Sequence, residues 1–268
     1  MISIYRVFKE EKRGILLLTF TAILAFILYG CGNGGDLVEE KAKMEHHLKD
    51  KFGKDFVIES INYYSEQLGG DKRIKAVVYP ADDSELKFEV KKMLGDKKWA
   101  FTNSQYSDKY LNTLWNKQMT QKVIQEFETE ITEVGVSAPL LEIEKNLNGK
   151  ILDIDEAIES YGKDITLNIR CGYFVGVDLQ QLDSDRLEKL YSAILTIKGL
   201  NTGKVGLIAR YFNEEHKKDI EKDPVKYLMA EASDYRDLKN NNTLLFSIDI
   251  EDIETINTPG DLQNCIEK

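Results

Sequence analysis

Two short acidic runs, Asp82-Asp83-Ser84-Glu85 and Asp153-Ile154-Asp155-Glu156, set carboxylates at a spacing that could surround a calcium ion with oxygen donors. Neither run has the mid-loop glycine and distal glutamate that close a calcium loop, so both read as solvated turns or helix starts. Gly199-Leu200-Asn201-Thr202-Gly203-Lys204-Val205 comes near a phosphate-binding loop. It is one residue short, Val205 stands where a hydroxyl would hold magnesium, and the segment leaves a helical pattern to enter a strand, the reverse of the required order. It reads as a helix stop and turn. His46 and His47 are adjacent, so they point to different sides of a helix, and His216 stands alone among charges. That leaves no metal spacing and no base beside a serine or cysteine nucleophile. With 46 acidic residues some carboxylate pair suited to glycoside cleavage can always be drawn, but no spacing singles one out.

The elements that hold these residues belong to a globular chain: 42% of the 268 residues are hydrophobic and 31% charged, neither disordered nor multi-spanning proportions. The formal net charge is −10. Before Cys31 the charged residues are Arg6, Lys9, Glu10, Glu11, Lys12 and Arg13, a net of +2, so the chain from Cys31 onward carries −12. Such a surface repels phosphate backbones, which argues against nucleic acid as a partner.

The first thirty residues have three parts. A basic-leaning start ends at Arg13, an uncharged apolar run of 16 residues follows from Gly14 to Tyr29, and Leu28-Tyr29-Gly30-Cys31 closes the segment. This is the plan of a secretory signal. At ~1.5 Å per residue the run makes a helix of ~24 Å, short of the ~30 Å hydrocarbon core. The closing residues resemble the lipobox of bacterial lipoproteins through Leu28, Gly30 and Cys31; Tyr29 departs from the small residue usual there. The resemblance implies that residues 1–30 are a signal peptide and that Cys31 carries diacylglycerol with palmitate-type chains, which anchors the protein on the extracytoplasmic face of the cell membrane. An uncleaved anchor is the alternative, and it also places the remaining chain outside, because Arg and Lys before the run stay in the cytoplasm. Residues 31–35, with Gly32-Asn33-Gly34-Gly35, form a flexible tether of ~10–12 Å.

Beyond the tether the periodicities predict an α+β fold, antiparallel sheets covered by helices, in two domains at 36–135 and 136–268. Helical spacing runs from Asp36 to Phe52 and stops at Gly53. Strand patterns follow at 55–64, 73–79 and 86–90, a three-stranded meander with short turns. Tyr110, Leu111, Leu114, Trp115, Met119, Val123, Phe127 and Ile131 recur at three- and four-residue spacing, a long helix with Ser107 or Asp108 as its cap. Gly135-Val136-Ser137-Ala138-Pro139 breaks that pattern and marks the expected boundary. Asn148-Gly149 predicts a hairpin between 140–147 and 150–153. A helix at 155–161, a strand at 165–171, a helix at 186–198 capped by Asp183 or Ser184, a strand at 204–212, a helix at 224–238 and a strand at 244–250 complete the second domain.

Taken whole, the chain is similar to uncharacterised extracytoplasmic lipoproteins of Gram-positive bacteria in its lipobox, the Tyr79-Pro80 strand end with Asp82, Phe88 and Val90 after it, and the Tyr110 to Trp115 helix. That likeness implies no activity. The functional expectation is a lipid-anchored, non-enzymatic binding or interaction module of the cell envelope, without metal or cofactor, whose partners are the membrane through Cys31 and an envelope protein. The alternatives are a solute-binding lipoprotein of a transporter and a carboxylate-based envelope hydrolase. Tyr63, Tyr64, Tyr106 and Tyr110 collect around the first domain, and tyrosines suit partner or sugar binding as well as ordinary packing.

Overall fold

The computed structural model describes residues 34–65, 71–95, 97–99, 104–147, 150–176, 183–230 and 232–267. The signal segment and Cys31 lie outside the described residues. The chain divides into two compact units, one up to Ser84 together with Glu89–Ser107, the other Glu85–Phe88 together with Asp108–Lys268. Helices combine with two sheets of four and five strands, all but one of the recorded strand pairs antiparallel, and the fold is α+β. Among the described residues no helix is long and apolar enough to cross a membrane.

In the first unit, helix α1 (Gly34–Phe52) buries Met44, Leu48 and Phe52, which its 3.6-residue turn stacks on one side, and it packs on strand β1 (Phe56–Tyr64). The sheet runs β1, β2 (Arg73–Pro80), β3 (Phe88–Met93), β4 (Tyr106–Asp108). In β2, buried Ile74, Ala76, Val78 and Pro80 alternate with half-exposed Arg73, Lys75, Val77 and Tyr79. A bulge between Ile58 and Ser60 inserts one residue, so Ile61 and Tyr63 take over from Phe56 and Ile58 opposite the buried positions of β2. On β3 the inward alternation ends in Lys92, whose ammonium bonds the Glu40 carboxylate of α1. His47 of α1 stacks on the Tyr106 ring at 4.1 Å.

In the second unit, α2 (Tyr110–Phe127) lies beside β5 (Ile131–Ser137), followed by the short helices α3 (Leu140–Asn146) and α4 (Ile154–Tyr161). Strand β6 (Thr166–Val175), helix α5 (Ser184–Lys198) and strand β7 (Val205–Asn213) follow, and β6 and β7 pair in parallel. The short helices α6 (Lys217–Ile220), α7 (Pro224–Leu228) and α8 (Ala232–Asn240) lead to β8 (Leu244–Ile250), α9 (Pro259–Gln263) and β9 (Ile266–Glu267). Strand order is β5-β6-β7-β8-β9. One side of the sheet carries buried Leu167, Ile169, Cys171, Leu207, Ala209, Tyr211, Phe246 and Ile248, and α5 buries Leu187, Leu190, Ala193, Ile194 and Ile197. Toward one end of the other side, Ile131, Phe212 and Leu244 form a cluster with Ile220 and Leu228. Strand β5 is the sheet edge, and α2 blunts it: Asn116 Oδ1 accepts from Val136 N at 2.7 Å, and Asn112 Nδ2 donates to Val136 O at 2.6 Å.

Four expectations are corrected. The long helix ends at Phe127, where Glu128 turns left-handed (φ 47°), and Ile131 opens β5; the Gly135–Pro139 segment therefore ends a strand, and the units divide near Ser107, not at 135/136. The cap position of α2 is Lys109 without a side-chain bond, although Asp108 Oδ1 accepts from Tyr110 N at 3.2 Å. Residues 140–146 are helical: Pro139 starts the turn, with its carbonyl accepting from Glu142 and Ile143, and Ile143 is buried. Asn148-Gly149 lies outside the described residues. Finally, the 224–238 helix is two helices, interrupted where Arg210 takes the Tyr227 and Ala230 carbonyls as acceptors.

Candidate functional site

The residues singled out for metal and phosphate chemistry are occupied structurally. Asp82 bonds Lys54 at 3.0 Å, and Glu85 lies 4.0 Å from Lys117. Asp153 caps α4, accepting from Glu156 N at 2.9 Å, while Glu156 accepts from Asp153 N and pairs with Lys150 at 2.7 Å; Asp155 pairs with Lys122. Gly203 N donates to the carbonyls of Gly162 (2.8 Å) and Ile165 (2.9 Å), and a Cβ there would meet Lys163 O at 2.6 Å. The glycine is needed for that close approach of backbone to backbone, not for phosphate. Among the described residues no group of three or more His, Cys, Asp or Glu side chains gathers to hold a metal. Cys171 and Cys265 are both free thiols. Burial pushes the Cys171 thiol up to about 12, so it stays protonated and unreactive at neutral pH.

What the sequence reading missed is a cavity of about 310 Å³ in the second unit, between α5, the end of α2 and the sheet. Strand alternation and register build its floor. Tyr173 and Tyr211 are partners in the parallel β6–β7 pair, and Tyr211 faces Phe246 in the β7–β8 pair, so three aromatic rings stand in one row. The rings stack at 5.0 Å (Tyr173–Tyr211) and 4.5 Å (Tyr211–Phe246). Tyr173 donates its hydroxyl to Phe127 O at 3.1 Å, tying the floor to the end of α2. Burial, and then the neighbouring Cys171, pushes both phenols well above their ordinary range, which keeps them neutral and able to donate and to accept.

The walls carry charge in pairs. Lys189 of α5 lies 3.3 Å from Glu128, Arg186 lies 3.3 Å from Asp183, and Glu130 bonds Lys217. Ser192 and Thr196 of α5 add hydroxyls, the latter donating to Ser192 O at 3.3 Å. The constellation offers hydrogen-bond donors and acceptors around a neutral polar floor. No described group there is poised as a nucleophile.

No protein-family profile matches the sequence, and no curated protein matches it. Among solved structures, the chain is similar to a DUF5037 family protein from Ruminococcus gnavus, at 14% identity and a TM-score of 0.40, over 68% of this chain and 78% of that one. Of the two tyrosines that make the cavity floor, Tyr211 falls in the strand pattern at 204–212, whereas the pattern at 165–171 stops short of Tyr173, which the observed strand reaches. Nothing in the sequence announced that those runs pair in parallel and in this register.

Proposed function

We propose that the protein is exported, anchored on the extracytoplasmic face of the cell membrane by a lipid on Cys31, and serves there as a non-enzymatic binding module of the cell envelope. The observation that carries this reading is the uncharged run Gly14–Tyr29, set between Arg13 and Gly30-Cys31. A stretch of that kind partitions out of water, and its basic flank orients it with the chain outside. One acyl chain binds a membrane marginally whereas two hold it, and the diacylglycerol of the lipobox resemblance would provide two. Support for binding over catalysis comes from the protonated Cys171 thiol and from acidic runs engaged as helix caps and ion pairs. The predominance of antiparallel pairing favours a binding module over a solute-binding lipoprotein with two parallel-sheet lobes.

Metabolic labelling with an alkyne palmitate analogue in a bacterial host tests the anchor. Wild type takes up label and sediments with membranes, and Cys31→Ala loses the label. Equal labelling of Cys31→Ala, or unlabelled full-length chain in the cytosol, would refute the reading. Cross-linking on intact cells tests the module: a reproducible envelope partner is expected, and its absence from wild-type membranes counts against an interaction role.

A further inference from the structure

Charge is unevenly placed in the first unit. The segments 63–75 and 91–99 carry seven basic side chains against three acidic ones, a net of +4, in a chain that carries −12 from Cys31 onward. The fold brings the two segments to one end of the sheet. Tyr64 and Arg73 are the last pair of the β1–β2 ladder, and the Lys91 ammonium lies 5.6 Å from the centre of the Tyr64 ring. The Arg73 guanidinium lies 4.9 Å from the centre of the Trp99 ring, and Lys97 bonds Asp71 at 2.6 Å. Lys72, Lys97 and Lys98 are exposed there, and Tyr64 and Trp99 are half-buried.

The residues that follow Cys31 lead to the same end. Glu40 of α1 bonds Lys92, the neighbour of Lys91 on β3. From Glu40 the helix runs back six residues to Gly34, ~9 Å at ~1.5 Å per residue. Cys31 is three residues further, at most ~11 Å of extended chain. A lipid on Cys31 is therefore held within about 20 Å of Glu40, and the bilayer surface lies close to this end of the unit.

The side chains there suit such a surface. Tryptophan and tyrosine settle at the headgroup level of a bilayer, and each Lys or Arg near an anionic surface adds to the attraction. We propose that this end of the first unit docks on anionic phospholipid headgroups, with Trp99 at the interface and Lys72, Lys97 and Lys98 as its electrostatic contacts. The proposal rests on the membrane location inferred above and adds a second, salt-sensitive contact to the anchor.

The test uses the full-length chain in phosphatidylcholine vesicles rich in phosphatidylglycerol, with lipids brominated near the headgroup end of their acyl chains. Trp99 and Trp115 are the two tryptophans of the chain, and Trp115 is fully buried. Bromine quenches on contact, so emission should fall in the anionic vesicles, and the fall should vanish in Trp99→Phe. It should vanish too in pure phosphatidylcholine and at about 1 M salt, where the Debye length is ~3 Å. Lys72→Gln with Lys97→Gln and Lys98→Gln removes three exposed cations. It should weaken docking about a hundredfold, which abolishes the quenching, at an unchanged melting temperature. Lys163→Gln with Lys218→Gln and Lys222→Gln, the same loss of charge at exposed positions of the second unit, should leave the quenching intact. Quenching equal in neutral and anionic vesicles, absent from both, retained by the first triple variant or lost in the second would overturn the proposal. A lipidated chain and a chain that retains its apolar run both enter vesicles. Loss of the palmitate result would therefore refute the anchor and leave this test in force.

Discussion

In the first unit the buried cation, Lys92, meets a carboxylate: Glu40 comes down from the helix packed on that sheet, and the two side chains are 8% and 14% exposed. In the second unit the buried cation, Arg210, is held by the Tyr227 and Ala230 carbonyls and lies over the Tyr235 ring at 5.5 Å. One unit closes a charge with a charge; the other uses a charge to hold two short helices where a longer one is interrupted. The sequence balance differs in the same sense. From Cys31 onward the first unit carries 12 basic against 13 acidic side chains, and the second carries 20 against 31. The comparison teaches where recognition is built. The first unit closes its sheet on the helix that precedes it, whereas the second unit joins strands separated by helices and leaves a gap beside α5 at one end.

The largest effect should separate the units outright. Trp115 of α2 is fully buried and donates its indole N–H to Leu152 O at 2.9 Å. Trp115→Ala should destabilise the second unit by about 3–5 kcal/mol. The other tryptophan, Trp99, belongs to the first unit and reports on it by fluorescence. Denaturant unfolding followed by Trp99 should be unmoved by the substitution while the main circular-dichroism transition shifts; a common shift would break the division into two units.

Alkaline pH should discriminate next. In the unfolded chain the Cys171 thiol releases its proton near 9.0, whereas the folded protein holds it until about 12. Between these values the folded state binds more protons, so stability present below pH 9 is lost as pH rises toward 12, by up to about 4 kcal/mol. The two elevated cavity phenols act in the same direction. Guanidinium unfolding from pH 8 to 11 should show the second unit weakening, with a shallower slope in Cys171→Ala. The part of the first unit after Cys31 contains no cysteine and should not show this thiol-dependent slope.

The two buried cations can be compared directly. Arg210→Met removes donors from two carbonyls and should cost about 2–4 kcal/mol. Lys92→Met leaves Glu40 with Lys43 at 3.4 Å and should cost less, about 1–2 kcal/mol. Chemical denaturation of the two variants measures both, and the reverse order would overturn the contrast drawn between them. The smallest effect concerns the guarded edge of β5. Asn112→Ala with Asn116→Ala should lower stability by about 1–2 kcal/mol and increase self-association in light scattering, because the Val136 backbone groups become available to another strand.

Much of the fold was legible because local periodicity carries it. Helix 36–52 with its stop at Gly53, the strands at 55–64 and 73–79, the strand from Ile165, the α5 helix capped by Asp183 and the strand at 244–250 follow from which positions alternate and which recur every three or four residues. The misreadings sit where local signals compete with packing. Ile131 continues the α2 stripe at the right spacing, yet the left-handed turn at Glu128 redirects it into a strand. The 224–238 run has helical composition, yet Arg210, which belongs to a different element, draws its carbonyls away. The cavity was illegible for a related reason, since its floor depends on a parallel register between strands separated by α5.

By itself the sequence determined the class of each long element, the excess of negative charge and the expectation of an export segment ending at Cys31. Each of these depends on neighbouring residues or on a sum over them. Tertiary structure decided that Tyr173, Tyr211 and Phe246 stand in one row, that Lys92 finds Glu40 and that Gly203 must lack a side chain. These facts are set by distances between residues far apart in the chain, and periodicity along one strand cannot encode the register in which it meets another.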